Sequence, residues 1–451
     1  MPLTIAPSAP AALERRAADG RIASVTVEVD PSIDISATVF GARRPDDRWF
    51  CFEQPDRDGY SVCGLGAAAV IEASGPDRFA RVAEECRRLG RGTEYDRIGL
   101  PGSGPVFVGG FAFASAGGFG PEWSPFSPSM MVLPEISFAR RGDRAALTVN
   151  AVGDPGPALN RLAELRPAGM PLIDPDPAVA PRVVSEAPPE HFEEAVRRAT
   201  ELIQAGELEK IVLARIVRVH AAHHHDPAAL FGALREVFPS CYTFCVGSPE
   251  AAFVGASPEL LVRRDGARAQ TVALAGTTRR SADPAVDDHL GEQLLTSAKN
   301  RAEQAIVARR IERALDPVSV WVTVADRPVL VKVHNVQHLA TPIRAQLAEP
   351  VPVIELAGRL HPTPAVGGEP AADAARLIPA LEGIDRGWYA GTVGWSDLEE
   401  DGELCVAIRC ALLRDDVAHL FAGNGIVADS DPAEELAETE AKLQALLPLL
   451  A

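Results

Sequence analysis

The dipeptide Asp265-Gly266 lies between two β-rich runs and is among the strongest signals for a two-residue hairpin turn. The segment Phe253–Ala275 is therefore predicted to form antiparallel strands on either side of that turn. With these two residues as the loop, Glu259 lies opposite Val272. The same register brings the carboxyl group of Glu259 within a few residues of the glycine corner at Gly276.

Apolar spacing and capping residues predict three further elements. Lys210–Val219 is β-rich and predicts a strand, whereas Ala285–Leu315 has helical spacing and predicts one long helix that carries Glu303. A last helix is predicted to begin after Asp431, whose side chain caps it, with Pro432 at the first helical position.

The chain divides into three predicted parts. Residues 1–166 are a β-rich N-terminal part of the fold, and residues 167–189, with seven prolines in 23 positions, are a linker. Residues 190–451 carry the sharper patterns and are predicted to form the catalytic part.

The charge balance narrows the class of partner. The chain of 451 residues carries a formal net charge of −18, which argues against nucleic acid and against an anionic membrane surface. The longest uncharged run, Ile98–Pro121, contains eight glycines and three prolines, so it is not a membrane-spanning helix. Seven dispersed cysteines and an N-terminus without the pattern of a signal peptide predict reduced thiols and a cytoplasmic location.

Lysine is scarce in this chain. Lysine stands at four positions, while forty basic residues are arginine, a bias that codon usage explains. Its consequence is still informative, because lysine can lose its proton at accessible pH and arginine cannot. The four lysines are therefore candidates for positions where an ammonium group is needed: Lys210, Lys299, Lys332 and Lys442.

Glutamates on two predicted helices form a candidate metal site. Glu303 lies on one helix, and Glu435 and Glu438 lie on the other. Mg²⁺ commonly takes one or two protein carboxylates and completes its shell with water and substrate oxygens. A purely structural explanation also holds, since first-turn glutamates favour the helix dipole and Glu438 forms an ordinary i,i+4 pair with Lys442.

Two other features suggest anion binding, and one suggests a metal. The loop Gly423-Asn-Gly425 can present backbone N–H groups, and Arg409 in an otherwise apolar strand needs an anionic partner from the protein or from a substrate. The histidines at 223–225 follow a strand and precede Asp226-Pro227, which favours a solvated turn over a zinc site.

Residues 188–446 resemble the chorismate-utilising enzymes, a family that includes isochorismate, salicylate, anthranilate and aminodeoxychorismate synthases. Nine motifs occur in the family's order: Lys210–Arg215, Gly255–Leu260, Ala273–Thr277, His338–Thr341, His361–Ala365, Asp385–Tyr389, Ala407–Cys410, Ala422–Val427 and Glu438–Lys442. The resemblance implies an α+β or α/β sandwich like that of anthranilate synthase component I, with two large antiparallel sheets and outer helices. It also implies that chorismate and Mg²⁺ bind in one cleft.

The resemblance assigns a role to each matching residue. Lys210 resembles the general base and Glu259 the general acid. Glu303 and Glu438 resemble the Mg²⁺ ligands, with Glu435 reaching the metal through water. The remaining positions resemble contacts to chorismate: Gly276, Thr277, His338, Ala365, Arg409, Gly423 and Lys442.

A few positions separate the members of the family. Lys210 is typically absent from anthranilate synthases, and a nucleophilic lysine replaces Ala275 in aminodeoxychorismate synthases. Water is then the nucleophile, so the resemblance implies an isochorismate synthase that adds water at C2 of chorismate and expels the C4 hydroxyl. No glutaminase subunit is expected. Ala365 favours this reaction over that of a salicylate synthase, which also eliminates pyruvate and tends to have threonine there.

Two alternatives and some departures from the family pattern stay open. A salicylate synthase shares the site, and a non-catalytic chorismate-binding protein would share the scaffold. Asn300, Gln304 and Asn424 differ from the residues usual in the family, and Asn424 is expected to add a hydrogen bond to the substrate. The product could serve menaquinone or siderophore biosynthesis, and Asp385–Gly391 is slightly closer to the menaquinone-type members.

Overall fold

The structure is a computed structural model that describes residues 8–17, 20–173, 179–333 and 336–450. Its helices, in chain order, are α1 (Ser8–Arg16), α2 (Ile35–Gly41), α3 (Arg78–Gly90), α4 (Gly156–Glu164), α5 (Pro189–Gln204), α6 (Pro227–Val237), α7 (Pro284–Thr296), α8 (Ala298–Leu315), α9 (Val353–Leu360), α10 (Ala371–Glu382) and α11 (Pro432–Leu443).

The strands are more numerous than the helices. In chain order they are β1 (Ile22–Val29), β2 (Trp49–Gln54), β3 (Tyr60–Leu65), β4 (Ala69–Ala73), β5 (Val106–Phe111), β6 (Ser129–Leu133), β7 (Ile136–Arg141), β8 (Arg144–Val152), β9 (Arg182–Ser185), β10 (Lys210–His220), β11 (Tyr242–Gly247), β12 (Ala252–Ser257), β13 (Leu260–Asp265), β14 (Arg268–Arg279), β15 (Ser319–Val324), β16 (Val329–Lys332), β17 (Val336–Leu347), β18 (Gly368–Glu369), β19 (Thr392–Asp397), β20 (Gly402–Val406), β21 (Cys410–Arg414) and β22 (Val417–Ile426).

The strands form two large antiparallel sheets. The first has the order β1-β8-β7-β3-β2-β11-β12-β21-β22-β10-β18, with β9 beside β10. The second has the order β15-β17-β14-β13-β20-β19-β5-β6-β4, with β16 beside β17. The predicted architecture of two large antiparallel sheets with helices is confirmed.

Alternating side chains explain why strands of the first sheet are apolar on both faces. In β2, Phe50 and Phe52 join the core that also contains Val108 of the second sheet. Cys51, between them, joins an outer core with Phe40 of α2 and Phe231 of α6. Successive side chains of a strand point to opposite faces, so a strand buried on both faces reads as a continuous apolar run.

Both sheets combine strands from the two sides of the predicted linker. Strands β1–β3, β7 and β8 extend the first sheet, and β4–β6 extend the second. Within the predicted linker, β9 pairs with β10, while residues 174–178 lie outside the described part of the chain. The division at 167–189 stays a prediction.

The predicted hairpin forms, but its register is wrong. Asp265 pairs with Arg268, so the loop consists of Gly266 and Ala267 rather than Asp265 and Gly266. Gly266 has a φ of +57°, a backbone conformation that glycine adopts without steric cost. Glu259 precedes β13 and does not lie opposite Val272, which instead pairs with Pro342 of β17.

The predicted helix over 285–315 is two helices. Ser297 between α7 and α8 has extended backbone angles, and its side chain accepts a hydrogen bond from the Asn300 N–H. A serine can cap a new helix in this way. The apolar spacing of the sequence therefore continues across the point where α7 ends and α8 begins. The strand at 210 and the cap of the last helix are confirmed: β10 begins at Lys210, and Asp431 accepts hydrogen bonds from the Ala433 and Glu434 N–H groups.

Candidate active site

All the predicted site residues line one pocket, whose volume is about 1110 Å³ when the space open to solvent is included. The predicted residues that it gathers are Lys210, Glu259, Gly276, Thr277, Glu303, His338, Ala365, Arg409, Gly423, Glu435, Glu438 and Lys442. Their individual roles stay predictions.

Two of these residues lie where the chain passes from one sheet to the other. Glu259 follows β12 of the first sheet and precedes β13 of the second. Arg409 lies between β20 of the second sheet and β21 of the first. The expectation that Arg409 belongs to a strand is therefore wrong. Its φ of +51° is unusual for a residue with a side chain, and backbone strain of this kind often accompanies a functional site.

Lys210 and Glu303 meet at the base of the pocket. Lys210 Nζ lies 2.7 Å from Glu303 Oε1, with the lysine side chain fully buried and the glutamate 15% exposed. The two atoms are at ion-pair distance, but their geometry does not form a hydrogen bond. Gly425 permits this approach, because a β-carbon there would lie 2.6 Å from both Glu303 Oε1 and Lys210 Cε.

Glu259 is the second fully enclosed titratable group of the pocket. Burial raises the pKa of its carboxyl group to about 8, although the positive charge of Lys210 opposes the rise. A carboxyl group with this pKa keeps its proton at neutral pH. It can therefore donate a proton, as the predicted general acid requires.

His338 connects the glycine corner to Arg409. It pairs with Thr277 across β17 and β14, just after a bulge at Gly276. Its Nδ1 lies 3.0 Å from Thr277 Oγ1, and its Nε2 lies 3.5 Å from Arg409 Nη2. A guanidinium group only donates, so Nε2 is the acceptor and Nδ1 carries the proton. Burial, with help from the charges of Arg409 and Lys442, lowers the pKa of His338 well below its usual value, which keeps the ring neutral.

Helix α11 carries a row of charged side chains that a strand residue links together. Lys442 Nζ donates to Gly423 O at 2.9 Å and to Asn424 Oδ1 at 2.7 Å, and it lies 2.7 Å from Glu438 Oε1. Asn424 Nδ2 donates to Glu435 O and Oε2. Asn424 does not face the pocket, so the expectation that it contacts a substrate is wrong: both ends of its amide bind α11 instead.

The carboxylates of the pocket fit a hard divalent cation by their chemistry. Glu303, Glu435 and Glu438 supply only oxygen donors, the type that Mg²⁺ prefers. In the described residues no three His, Cys, Asp or Glu side chains are already gathered closely enough to hold an ion, and each of the three carboxylates has a lysine within 3.9 Å. Burial raises the pKa of Glu435, whereas the pKa of Glu438 is lowered, because Lys442, Arg409 and Lys299 together outweigh the effect of burial.

The pocket is positive despite the acidity of the whole chain. Four cationic side chains line it, against three carboxylates and the protonated Glu259, which gives a formal local charge of +1. The cationic residues are Lys210, Lys299, Arg409 and Lys442. A small anion is therefore attracted locally even though the net charge of the chain is −18.

Sequence comparison assigns the chain to a family. A family model described as chorismate binding enzyme matches residues 8–451. The chain belongs to the chorismate-binding enzymes. A relative from Pseudomonas aeruginosa, named salicylate biosynthesis isochorismate synthase, is 36% identical over 442 residues, which are 94% of this chain and 89% of the relative.

Two solved structures resemble this chorismate-binding enzyme. The menaquinone-specific isochorismate synthase of Escherichia coli matches with a TM-score of 0.83 and 28% identity over 98% of this chain and 99% of that one. Anthranilate synthase component I of Streptococcus pneumoniae matches with a TM-score of 0.67 and 21% identity over 88% of this chain and 89% of that one, a likeness of fold alone. The predicted family and fold are confirmed.

Some residues of the pocket were not predicted as part of the site. Lys299, Asn300, Tyr389 and Gly425 all line it. Lysine scarcity was a usable signal, since three of the four lysines of this enzyme lie in one pocket. The packing at Gly276 could not be inferred from the sequence. A β-carbon there would lie 3.1 Å from Asn300 Oδ1, and only the fold brings these two residues together.

Other predicted features lie away from the pocket. The histidines at 223–225 form an irregular turn after β10, where His223 and His224 are exposed. The seven cysteines are free thiols and all are buried. No helix in the described ranges combines the length and the apolar character that crossing a bilayer requires.

Proposed function

We propose that this chorismate-binding enzyme is an isochorismate synthase. One observation carries the proposal: a buried carboxyl group with a pKa of about 8, that of Glu259, lines the same pocket as the buried Lys210. This is the pairing of acid and base that exchange of a hydroxyl group through water requires. The similar proteins named as isochorismate synthases support the same reaction.

Lys210 and Glu259 divide the proton transfers. Lys210 takes a proton from the water that attacks C2 of chorismate. Glu259 gives its proton to the C4 hydroxyl, which leaves as water while the ring double bonds shift. Their exposed fractions are only 0% and 3%, so bulk solvent is largely kept from both groups. One water is consumed and one is released, and the proton is returned from Lys210 to Glu259 before the next turnover.

The choice of water as nucleophile follows from a small side chain. Ala275 lines the pocket beside Gly276 and offers no amine or thiol that could attack the ring. Lys210 is the buried amine of the pocket, and it serves here as the base. This arrangement supports hydroxyl transfer and gives no covalent intermediate with position 275.

The remaining residues hold the substrate. We assign the grip on a substrate carboxylate to Arg409 together with the backbone N–H groups at Gly276 and Gly423. His338 holds the Arg409 guanidinium and is itself fixed by Thr277, so the positive group is oriented before substrate arrives.

We assign Mg²⁺ to Glu303 and Glu438, with Glu435 nearby. When bound, Mg²⁺ would supply positive charge that holds a substrate carboxylate and stabilises charge on the ring during the reaction. The all-oxygen donor set of these three carboxylates favours this hard cation over zinc.

Incubation with chorismate tests the proposal. The purified protein is incubated with and without Mg²⁺, and the products are separated by chromatography. We expect isochorismate, only when Mg²⁺ is present. Salicylate with pyruvate would instead identify a salicylate synthase, and bound but unconverted chorismate would identify a non-catalytic binding protein.

A further inference from the structure

Asn424 makes a two-sided contact with helix α11. Its Nδ2 lies 2.6 Å from Glu435 O and 3.1 Å from Glu435 Oε2, so one amide group donates to both the backbone and the carboxylate of the same residue. Its Oδ1 accepts a hydrogen bond of 2.7 Å from Lys442 Nζ. The side chain is 1% exposed, so water does not compete for these bonds.

This amide joins two residues that lie seven positions apart on one face of α11. Lys442 then meets Glu438 Oε1 at 2.7 Å and Gly423 O at 2.9 Å. With Asn424 Oδ1, its ammonium group has two hydrogen-bond acceptors and one ion-pair partner. Asn424 therefore contacts both pocket carboxylates of the helix, Glu435 directly and Glu438 through Lys442. Ser430 Oγ also donates to Glu435, at its other oxygen Oε1, over 2.7 Å.

We propose that Asn424 is a positioning residue that holds the carboxylates of Glu435 and Glu438 ready for a divalent cation. The inference rests on the proposed function, which assigns Mg²⁺ to this helix. An asparagine suits the place because the amide offers a donor to the carboxylate and an acceptor to the ammonium in one short side chain. Partners that orient metal-binding side chains typically change metal affinity by about 10–100-fold when they are removed.

The role expected for Lys442 stays a prediction, and the two lysines near α11 differ in their contacts. Lys442 Nζ donates hydrogen bonds to Gly423 O and Asn424 Oδ1 and lies 2.7 Å from Glu438 Oε1. The side chain of Lys299 is 39% exposed, and its Nζ lies 3.9 Å from Glu435 Oε1, too far for a hydrogen bond.

Mg²⁺ alone, titrated into substrate-free protein by calorimetry, tests the positioning role. N424A and N424L each remove both hydrogen-bonding groups, and we expect the Kd for Mg²⁺ to rise by about 10–100-fold. N424S keeps a hydroxyl that can reach only one partner, so its Kd should be intermediate. If N424A and N424L fail to fold, the Kd of N424S decides.

Asn150 provides the matched control. It is a fully buried asparagine of β8 whose Nδ2 donates to Pro134 O at 3.0 Å, far along the chain from the pocket residues. N150A should lower the thermal stability while leaving the Kd for Mg²⁺ unchanged. Kd values for N424A, N424L and N424S within twofold of wild type would show that Asn424 is only structural.

Turnover separates this inference from the proposed function. In N424A the Mg²⁺ concentration for half-maximal activity should rise, and kcat should recover toward wild type at saturating Mg²⁺. A kcat that stays low at every Mg²⁺ concentration would contradict positioning. If wild type itself makes no isochorismate, or makes it without Mg²⁺, the proposed function fails whatever the variants do.

Discussion

Lys210 Nζ lies 2.7 Å from Glu303 Oε1, and this contact joins β10 of the first sheet to helix α8, which packs on the second sheet. The lysine is fully buried, so the pair is not a surface ion pair of small consequence. Removing one partner would leave the other charge buried without compensation. Substitutions here must therefore be chosen so that loss of chemistry can be told from loss of the fold.

Arginine at position 210 should abolish turnover. K210R keeps a positive charge beside Glu303, but a guanidinium stays protonated at working pH and cannot serve as the base. We expect kcat to fall by about 10²–10⁴-fold, with the Kd for chorismate close to wild type. Steady-state kinetics and calorimetry measure the two quantities.

Lys332 is the matched control for K210R. It lies outside the pocket, 3.0 Å from Asp287 Oδ2 and 2.9 Å from Asp288 Oδ1. K332R should keep wild-type turnover, because arginine can replace lysine in such an ion pair. Substantial turnover by K210R would leave Lys210 as an anchor and move the role of base to another group.

Glutamine at position 259 should stop release of the C4 hydroxyl. E259Q keeps the shape of the side chain but has no proton to give, so the loss should fall on kcat, by about 10²–10⁴-fold, and not on KM. For wild type, kcat should decline above a pH of about 8, where Glu259 loses its proton. An increase in KM alone would make Glu259 a binding residue, and an alkaline limb that persists in E259Q would belong to another group.

The raised pKa of Glu259 also predicts how stability depends on pH. Its carboxyl group has a pKa of about 8 when folded against 4.5 for the ordinary group, so the unfolded chain binds fewer protons between these values. The contribution of Glu259 to the free energy of unfolding is therefore greatest below pH 4.5 and is lost as pH rises towards 8, by at most about 1.4 kcal/mol per pH unit.

E259Q checks this dependence by urea unfolding at about pH 5 and about pH 8. The amide does not ionise, so the stability of E259Q relative to wild type should increase between the two values. An equal difference at both pH values would mean that the buried carboxyl group is not protonated in the folded protein.

Local patterns in the sequence predicted the strands and caps well, and family motifs predicted the pocket. The β-rich run that begins at Lys210 and the cap at Asp431 depend on neighbouring residues, so both were readable. The predictions that are wrong concern residues whose conformation depends on tertiary structure. Ser297 interrupts a helical pattern that continues on both sides of it, and Arg409 lies at a crossing between sheets that its apolar neighbours conceal.

Asn424 shows the same limit at the level of one side chain. Its place in a glycine-rich loop favoured a contact with substrate, because such loops often face a ligand. Its orientation depends on strand pairing: Asn424 pairs with Leu213 of β10 and turns to α11, whereas neighbouring Gly423 and Gly425 line the pocket. Successive residues of a strand face opposite sides of the sheet, so a shift of one position decides whether a side chain faces the pocket. A sequence motif alone does not reveal which side each residue faces.

Chelation should abolish the activity of the proposed isochorismate synthase. EDTA should reduce turnover to background and added Mg²⁺ should restore it.

E303Q and E438Q should weaken Mg²⁺ binding by at least about tenfold in calorimetry, because each keeps the volume of the side chain and loses its charge. Glu292 is an exposed residue of α7 outside the pocket. The variant E292Q is therefore the control and should bind Mg²⁺ as wild type does. Full activity in a chelated, metal-free sample would contradict the assignment of Mg²⁺.

A methyl group at position 425 should separate the pair that Gly425 permits. In G425A the β-carbon would lie 2.6 Å from Glu303 Oε1 and 2.6 Å from Lys210 Cε, closer than real β-carbons approach other atoms. Lys210 and Glu303 must then move apart, so kcat should fall by at least about 10²-fold, the cost of a displaced catalytic group. G169A is the matched control, because a β-carbon at Gly169 would meet no atom within 4 Å, and its turnover should equal that of wild type. A thermal unfolding experiment shows whether G425A is folded. If it is folded and has wild-type kinetics, the close approach of Lys210 and Glu303 is not needed for the reaction.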